Sequence, residues 1–186
     1  MSKNNTFFTK DYLNLPYCEV GDYTYGKPEV VKWGAEGKIR IGKFNSIAEK
    51  VMFLLGSEHR IDWVTTYPFT SIKMQKQLNW FKGQKYAISK GDIILENDIW
   101  VGYDTTILSG VTISNGAVIG AKSVVAKNIP PYAIAVGNPA KIIRYRFSEI
   151  IISKLLKIKW WDWDIKKIKD NIELMKDINK FVETHF

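Results

Sequence analysis

The sequence predicts an all-β fold, a parallel β-helix built on a six-residue repeat, with one extended loop and α-helices at its C-terminal end. An aliphatic residue returns at every sixth position through six units: Leu95, Val101, Ile107, Ile113, Ile119 and Val125. An earlier stretch has the same spacing, at Ile41, Ile47 and Phe53. A period of six belongs neither to an α-helix nor to a simple alternating strand. It fits a coil with three short flat faces, in which each unit places one aliphatic side chain inward.

Small residues follow several of these aliphatic positions, as in Val101-Gly102 and Ile119-Gly120. The tight bend between two faces leaves little room for a side chain, and glycine accepts unusual backbone dihedrals there. Three units make one coil of about 18 residues, and successive coils stack at the strand spacing of about 4.8 Å. The inward side chains then form aliphatic ladders, so the repeat predicts a continuous buried core.

Residues 56–91 interrupt the repeat with a long segment that is rich in aromatic residues. A loop of that length inside a compact domain is usually functional. The sequence therefore predicts one β-helix domain over residues 1–147, with a protruding active-site loop over residues 56–91.

Residues 148–186 predict a helical extension that packs on the β-helix. Ser148 can cap a short helix that runs to about Lys157. Asp164 can cap a longer helix with one apolar face. That face comprises Ile165, Ile168, Ile172, Met175 and Val182. The run Trp160-Trp161-Asp162-Trp163 is expected to pin these helices to the β-helix or to a neighbouring subunit, and ligand stacking is the alternative interpretation.

The composition indicates the cellular compartment in which the protein is expected. No apolar run in the sequence approaches the roughly 18 to 20 residues that cross a membrane. The chain has one cysteine, Cys18, so it cannot form an intramolecular disulfide. That usage suits a reducing compartment, and a cytoplasmic protein without membrane insertion is expected.

The net charge and the number of metal-ligating residues indicate which ligands and partners are expected. The formal net charge of +8 raises the question of an anionic partner. The lysines are spread along the chain, which favours a solvated basic surface over attraction for a phosphorylated ligand. No nucleic-acid-binding motif accompanies the charge, so nucleic acid is not expected as a partner. His59, His185 and Cys18 are too few for a three-histidine zinc site, so no metal is expected.

The two histidines differ in their setting. His185 is the penultimate residue, where a frayed and solvated side chain is expected. His59 lies in the interrupting loop, where a lone histidine is more often a surface or packing residue than a catalyst. Loops mounted on a rigid scaffold are nevertheless where catalytic groups collect. An imidazole with an ordinary pKa of about 6.5 can abstract protons near neutrality, so His59 is the candidate catalytic residue.

Several short segments stand out beside the repeat. They are Val20-Gly21-Asp22-Tyr23-Thr24-Tyr25, Ile41-Gly42-Lys43-Phe44, His59-Arg60, Tyr67-Pro68-Phe69, Asn97-Asp98-Ile99-Trp100-Val101-Gly102, Gly137-Asn138-Pro139-Ala140-Lys141, Arg146-Phe147 and Trp160-Trp161-Asp162-Trp163. Together they resemble the hexapeptide-repeat xenobiotic acetyltransferases, the chloramphenicol and streptogramin A acetyltransferase group, from about Val20 to about Met175. The Gly-Asn-Pro-Ala block alone marks only the broad superfamily, whereas its combination with the histidine loop and the tryptophan run is narrow.

The resemblance implies a left-handed β-helix and a homotrimer whose active sites lie where one subunit's loop meets its neighbour's coils. It implies acetyl-CoA as the co-substrate and His59 as the general base that takes the proton from an acceptor hydroxyl. Such a base contributes about 10² to 10⁴ in rate. Glu58 or Asp62 is a candidate for orienting the imidazole, and a solvated surface carboxylate is the more frequent alternative for each.

The resemblance also points to residues for both substrates. For the cofactor, Trp100 would wall the pantetheine channel, and the small and basic residues along the coils would meet the rest: Gly102, Gly120, Ala121, Ala126, Lys127, Lys141 and Arg144. The basic side chains would reach the phosphates through charge-assisted hydrogen bonds. Aromatic candidates for the acceptor pocket are Tyr23, Tyr25, Tyr67 and Phe69. For Trp100 and for each of these four, plain packing is an equally good interpretation.

The leading interpretation is an O-acetyltransferase that acts on a hydroxyl of an antibiotic or of a surface-polysaccharide sugar. Departures from the family pattern concern the acceptor. They are the short stretch between Tyr25 and Lys38, Asn45 in place of a common cysteine, Leu95-Glu96 in place of Ile-Gly, and Glu58 before His59. They place a polysaccharide sugar slightly ahead of an antibiotic. The alternatives are N-acetylation of an amino sugar and a non-catalytic trimeric sugar-binding scaffold.

Overall fold

The computed structural model describes residues 7–33, 36–56, 58–69, 71, 76–77 and 87–186. Much of the predicted loop over residues 56–91 therefore lies outside the described residues. The rest of the chain forms a parallel β-helix followed by a helical extension, as the repeat and the C-terminal pattern predict.

Three sheets form the faces of the β-helix. The first face contains β1 (Cys18–Val20), β3 (Ile39–Ile41), β8 (Ile93–Leu95) and β11 (Thr112–Ile113). The second face contains β4 (Ser46–Ile47), β9 (Trp100–Val101), β12 (Val118–Ile119), β14 (Ala133–Val136) and β15 (Lys141–Tyr145). The third face contains β2 (Glu29–Trp33), β5 (Met52–Gly56), β10 (Thr106–Leu108) and β13 (Val124–Val125). Within these faces neighbouring strands pair in parallel, except that β15 pairs antiparallel with β14.

The strand register explains the six-residue period. On the third face Phe53 lies opposite Ile107, which lies opposite Val125. The first and second faces carry ladders of the same kind: Ile41, Leu95 and Ile113 on the first, and Ile47, Val101 and Ile119 on the second. All nine side chains are buried. The predicted aliphatic ladders are confirmed, and they form one core along the axis of the coil.

Gly102 lies where two coils approach each other closely, in the bend between the second and third faces. The N–H of Gly102 donates to the carbonyl of Ile119 in the next coil at 2.8 Å. An ideal Cβ on Gly102 would lie 2.6 Å from the backbone nitrogen of Ala121, so this corner admits no side chain without a shift of the backbone.

Asn45, which the resemblance marked as a departure, is a buried structural residue. Its side-chain amide donates to the carbonyl of Glu96 at 2.9 Å. Its Oδ1 accepts from the N–H of Ile99 at 2.8 Å. These bonds tie neighbouring coils at the corner between the first and second faces. Asn45 therefore serves the fold, and its side chain has no exposed surface with which to meet an acceptor.

Helices precede and follow the β-helix along the chain. The short helix α1 (Thr9–Tyr12) precedes the first strand, and α2 (Glu149–Ile158), α3 (Ile165–Asn171) and α4 (Ile178–His185) form the C-terminal extension. Two 3₁₀ turns, Trp160–Asp162 and Leu174–Lys176, separate the last three helices. Within the described part of the chain no helix is long and apolar enough to cross a membrane.

Ser148 caps α2 and Asp164 caps α3, as predicted. The prediction of one longer helix after Asp164 is wrong. Asp177 has an extended backbone, and its side chain accepts from the N–H groups of Asn179 and Lys180, which starts α4 as a separate helix. Because of this break, Ile172 is exposed while Val182 is buried.

The tryptophan run attaches the extension to the β-helix. The ring of Trp160 lies 5.0 Å from the ring of Phe44, centroid to centroid. Lys43 Nζ, in the same coil, donates to Asp162 Oδ1 at 3.1 Å. Trp161 is buried. The structural interpretation of the run is therefore confirmed.

His185 is not the solvated terminal side chain that its position predicts. Its ring lies 4.7 Å from that of Trp163 and 4.9 Å from that of Phe181. Its Nε2 lies 2.9 Å from Asn171 Oδ1. Because α4 packs on the other helices, the end of the chain is held rather than frayed.

Candidate active site

A short hairpin begins and ends the inserted loop. Strand β6 (Glu58–His59) pairs antiparallel with β7 (Ala87–Ile88), so that His59 lies opposite Ala87. The loop leaves the coil after β5 on the third face and rejoins it before β8 on the first face. We call the bend between these two faces the loop corner. His59 is three residues beyond the end of β5 and lies at this corner.

The imidazole of His59 is oriented by a backbone carbonyl. Its Nδ1 lies 2.7 Å from the carbonyl oxygen of Thr66. A carbonyl can only accept a hydrogen bond, so Nδ1 carries the proton in the neutral ring. The other nitrogen, Nε2, then has the lone pair that a general base requires. The side chain is exposed, which suits a group that must meet a substrate.

The two carboxylates that the sequence offered as orienting groups have other partners. Asp62 Oδ1 accepts from Arg60 Nε at 2.9 Å, and Oδ2 also pairs with this guanidinium. These hydrogen bonds lower the pKa of the Asp62 carboxyl. Glu58 Oε1 accepts from Ser109 Oγ at 2.9 Å. The expected orientation of His59 by Glu58 or Asp62 is therefore replaced by the Thr66 carbonyl.

The second face carries the other half of the predicted site. The register places Tyr25, Ser46, Trp100, Val118, Ile134 and Arg144 in one row across its outer surface. Trp100 is 58% exposed in this row. A cavity of about 350 Å³ lies in front of it, bounded also by Phe44 and Arg146. The exposed indole and the cavity make this face suited to a ligand with an apolar body.

The structure divides the predicted cofactor residues between two corners. Gly102, Gly120 and Ala121 lie at the bend between the second and third faces, which we call the glycine corner. Lys141 begins β15 opposite Val136, whose Cγ1 would lie 2.5 Å from a Cβ on Gly120, so this lysine belongs to the same region. Ala126 and Lys127 instead follow β13 at the loop corner, and Arg144 lies on β15 at the edge of the second face. The three basic side chains are exposed.

The four aromatic candidates also fall into two groups. Tyr67 and Phe69 lie in the loop, with ring centroids 4.6 Å apart. Tyr23 stacks on Phe44 at 4.9 Å, and Tyr25 stacks on Phe7 at 5.4 Å, at the start of the β-helix. Packing therefore accounts for part of each ring, and both tyrosines still expose about two fifths of their surface, at 43% and 42%.

Comparison with known proteins identifies the chain. No protein-family model matches it. A probable macrolide acetyltransferase from Lysinibacillus sphaericus is 44% identical over 142 residues, which cover 74% of this chain and 77% of the relative. A chloramphenicol acetyltransferase from Escherichia coli is 42% identical over 132 residues, which cover 70% of this chain and 62% of that protein, less than two thirds of its length.

A solved structure also relates the chain to acetyltransferases. A hexapeptide-repeat acetyltransferase from Vibrio cholerae, in complex with acetyl coenzyme A, matches 72% of this chain and 62% of its own, with a TM-score of 0.53 and 27% identity. The chain belongs to the xenobiotic acetyltransferase family. It is an acetyltransferase, and its coil is the left-handed β-helix of that fold.

This acetyltransferase also contains a partly buried polar cluster to which sequence reasoning gave no role. Asp98 Oδ2 lies 3.3 Å from Arg146 Nη1, in a cavity of about 220 Å³ between the β-helix and the C-terminal helices. Burial raises the pKa of Asp98, while Arg146 acts in the opposite direction. Burial also raises the pKa of Tyr132, which lines the same cavity. Because Arg146 Nη1 also donates to the Gly116 carbonyl at 2.7 Å, Arg146 ties the segment between β15 and α2 to the coil.

Two further residues at the candidate site had no signal in the sequence. Thr66 acts through its backbone, which carries no mark of residue type. Ser109 is 2% exposed and follows Leu108 at the loop corner, where any small corner residue would fit the repeat. In the part of the chain that the structure describes, no group of three histidine, cysteine or acidic side chains could hold a metal ion.

Proposed function

We propose that this protein transfers the acetyl group of acetyl-CoA to a hydroxyl of a small acceptor, with His59 as the general base. The observation that carries the proposal is the hydrogen bond from His59 Nδ1 to the Thr66 carbonyl. It fixes the tautomer of an exposed ring, with the proton on Nδ1 and the lone pair on Nε2. A histidine held by a third group in this way matches the general pattern of an activating base.

The proposed reaction needs one proton acceptor and one proton donor. Nε2 of His59 takes the proton of the acceptor hydroxyl as that oxygen attacks the thioester carbonyl. The tetrahedral adduct then collapses with cleavage of the carbon–sulfur bond, and the imidazolium returns the proton to the coenzyme A thiolate. One base thus serves both steps. The transient oxyanion requires a hydrogen-bond donor within reach of the carbonyl oxygen.

Acetyl-CoA is proposed to lie along the glycine corner and the second face. At the glycine corner Gly102 and Gly120 have no side chain and Ala121 has only a methyl group, so no long side chain projects into the path proposed for the pantetheine chain. The exposed Lys141 lies in the same region and can meet a phosphate. Trp100 offers an apolar wall. The acetyl-CoA complex of the Vibrio cholerae acetyltransferase supports this choice of donor.

An antibiotic hydroxyl is proposed as the acceptor. The two relatives reported above are named for a macrolide and for chloramphenicol, which supports a drug-like acceptor over a polysaccharide sugar. Two of the departures that favoured a sugar also have structural explanations. Asn45 is a buried tie between coils, and Glu58 Oε1 bonds to Ser109 rather than facing the substrate.

A homotrimer is proposed because one chain does not bring the two halves of the site together. His59 lies at the loop corner, and in a three-sided coil that corner is opposite the second face, where Trp100 and Tyr25 lie. A neighbouring subunit that presents its second face to this loop would complete the site. Closed cyclic symmetry then gives every loop one partner face.

A thiol-release assay tests the proposal. Wild-type protein is offered acetyl-CoA with chloramphenicol, a streptogramin A or a macrolide, and product mass identifies O- or N-acetylation. His59→Asn keeps an N–H donor attached to Cγ, positioned for the Thr66 carbonyl, but it has no basic nitrogen. We expect kcat to fall by about 10² to 10⁴ with the affinity for coenzyme A unchanged in calorimetry. Full activity of His59→Asn would exclude the general-base role. Failure of the wild-type protein to bind coenzyme A would exclude acetyl transfer from acetyl-CoA.

A further inference from the structure

Glu58 and His59 are neighbours on one strand, and their side chains therefore point to opposite sides of it. The Glu58 side chain turns toward the coil, where its Oε1 accepts from Ser109 Oγ at 2.9 Å. The imidazole of His59 turns the other way, toward Thr66 and solvent. A contact that fixes the Glu58 side chain therefore also fixes the direction in which His59 points.

Ser109 holds both ends of the inserted loop. Its hydroxyl donates to Glu58, just after the loop begins, and accepts from the N–H of Lys90, just before the loop ends, at 3.2 Å. The next residue, Gly110, donates its N–H to the carbonyl of Gly91 at 3.1 Å. Ser109 is 2% exposed and belongs to the coil that follows the loop, so this hydroxyl is fixed by the rigid part of the molecule.

We infer that Glu58 and Ser109 are a positioning pair that sets the direction of the His59 imidazole relative to the substrates, an inference that rests on the proposed function of His59. The pair touches neither reacting atom. It acts by keeping the β6–β7 hairpin seated on the loop corner. Misplacement of a catalytic group by about 1 Å can lower the rate about 10²-fold. Loss of the hydrogen bond between Ser109 and Glu58 can therefore lower turnover although neither residue touches the substrates.

The substitutions that test the pair differ in what they keep. Ser109→Ala removes the shared hydroxyl, and Glu58→Ala removes its acceptor. Glu58→Gln keeps a carbonyl oxygen at the same place and removes only the charge. Should Glu58→Ala fail to fold, Glu58→Asp keeps the charge but is shorter by one methylene and draws the acceptor away from Ser109. Thr9→Val is the matched control, because Thr9 is buried and its hydroxyl donates to the Gly26 carbonyl at 2.8 Å, away from the loop.

Ser109→Ala and Glu58→Ala should each lower kcat at least tenfold, with the KM for acetyl-CoA within about twofold of wild type. Glu58→Gln and Thr9→Val should keep kcat near wild type. The double variant should be no slower than the slower single variant, because both changes break the same hydrogen bond. Unchanged kcat in Ser109→Ala and Glu58→Ala would overturn the inference.

The same changes in a His59→Asn background separate positioning from general destabilisation. If the pair acts through His59, neither change should lower the residual rate of that variant further. A further drop would assign the pair a structural role alone and overturn the inference while leaving the proposed base intact. If His59→Asn by itself kept full activity, the proposed function would fail first, so the two failures are distinguishable.

Discussion

At the scale of the residue, the buried ladders determine stability. Ile107 is fully buried between Phe53 and Val125 on adjacent coils. Because each inward side chain contacts the coil before it and the coil after it, a cavity at one position weakens two interfaces. Thr106, the residue before Ile107 on the same strand, points outward, since successive side chains alternate across a strand.

Ile107→Ala should therefore lower the free energy of unfolding by about 2–5 kcal/mol, the range for truncation of a buried isoleucine. Urea titration measures this free energy, and a fixed protein concentration is used because assembly into the proposed trimer would link stability to concentration. Thr106→Ala on the same strand is the control and should change the value by about 0.5 kcal/mol or less. Equal losses for the two variants would contradict the assignment of inward and outward positions.

The sequence predicts these residues well because the six-residue period reports burial directly. The place of His59 in the loop and the resemblance also predict it as the catalytic base, and this stays a prediction. The group that orients its imidazole was not predicted. The Thr66 carbonyl is a backbone atom whose position depends on how the loop folds, and no residue type marks it. The carboxylates of Glu58 and Asp62 were the visible candidates, and each has another partner.

At the scale of the element, helix caps decide where the C-terminal helices begin. Asp164 Oδ1 accepts from the N–H of Lys167 at 2.8 Å and starts α3. The apolar spacing after Asp164 continues through residues 165–182, which favours one long helix. The structure instead ends α3 at Asn171, and Asp177 starts a second helix, because its side chain accepts from backbone N–H groups in the next turn. Periodicity alone could not show that two short helices share one apolar stripe.

Asp164→Ala should destabilise α3 by about 1 kcal/mol, as loss of an N-cap does. Asp164→Asn keeps a side-chain oxygen that can accept from Lys167 and should be close to wild type. Native-state hydrogen exchange on the amides of residues 165–171 measures the difference. Faster exchange in neither variant would show that the Asp164 side chain does not stabilise the helix, and faster exchange in both would contradict the expectation that a neutral oxygen suffices.

At the scale of the whole molecule, the sequence predicts the coil, its interruption and the extension, because each has its own periodicity. It could not show how the predicted site residues are arranged around the coil. His59, Ala126 and Lys127 lie on the side of the loop corner, whereas Trp100, Tyr25 and Arg144 lie on the second face. Sequence distance along a coil says little about which face a residue occupies until the corners are known.

The central claim, an acetyltransferase site shared between subunits, is tested most directly by mixing two inactive variants. His59→Asn removes the proposed base from the loop, and Trp100→Ala removes the proposed apolar wall from the second face. Each variant should be inactive alone. Co-expression with two affinity tags isolates mixed oligomers, and sedimentation should show trimers. In a ring of three, every mixed arrangement has one intact site, so about a third of the wild-type turnover should return. Mixed oligomers as inactive as the single variants would contradict a shared site, as would a Trp100→Ala variant that is fully active by itself.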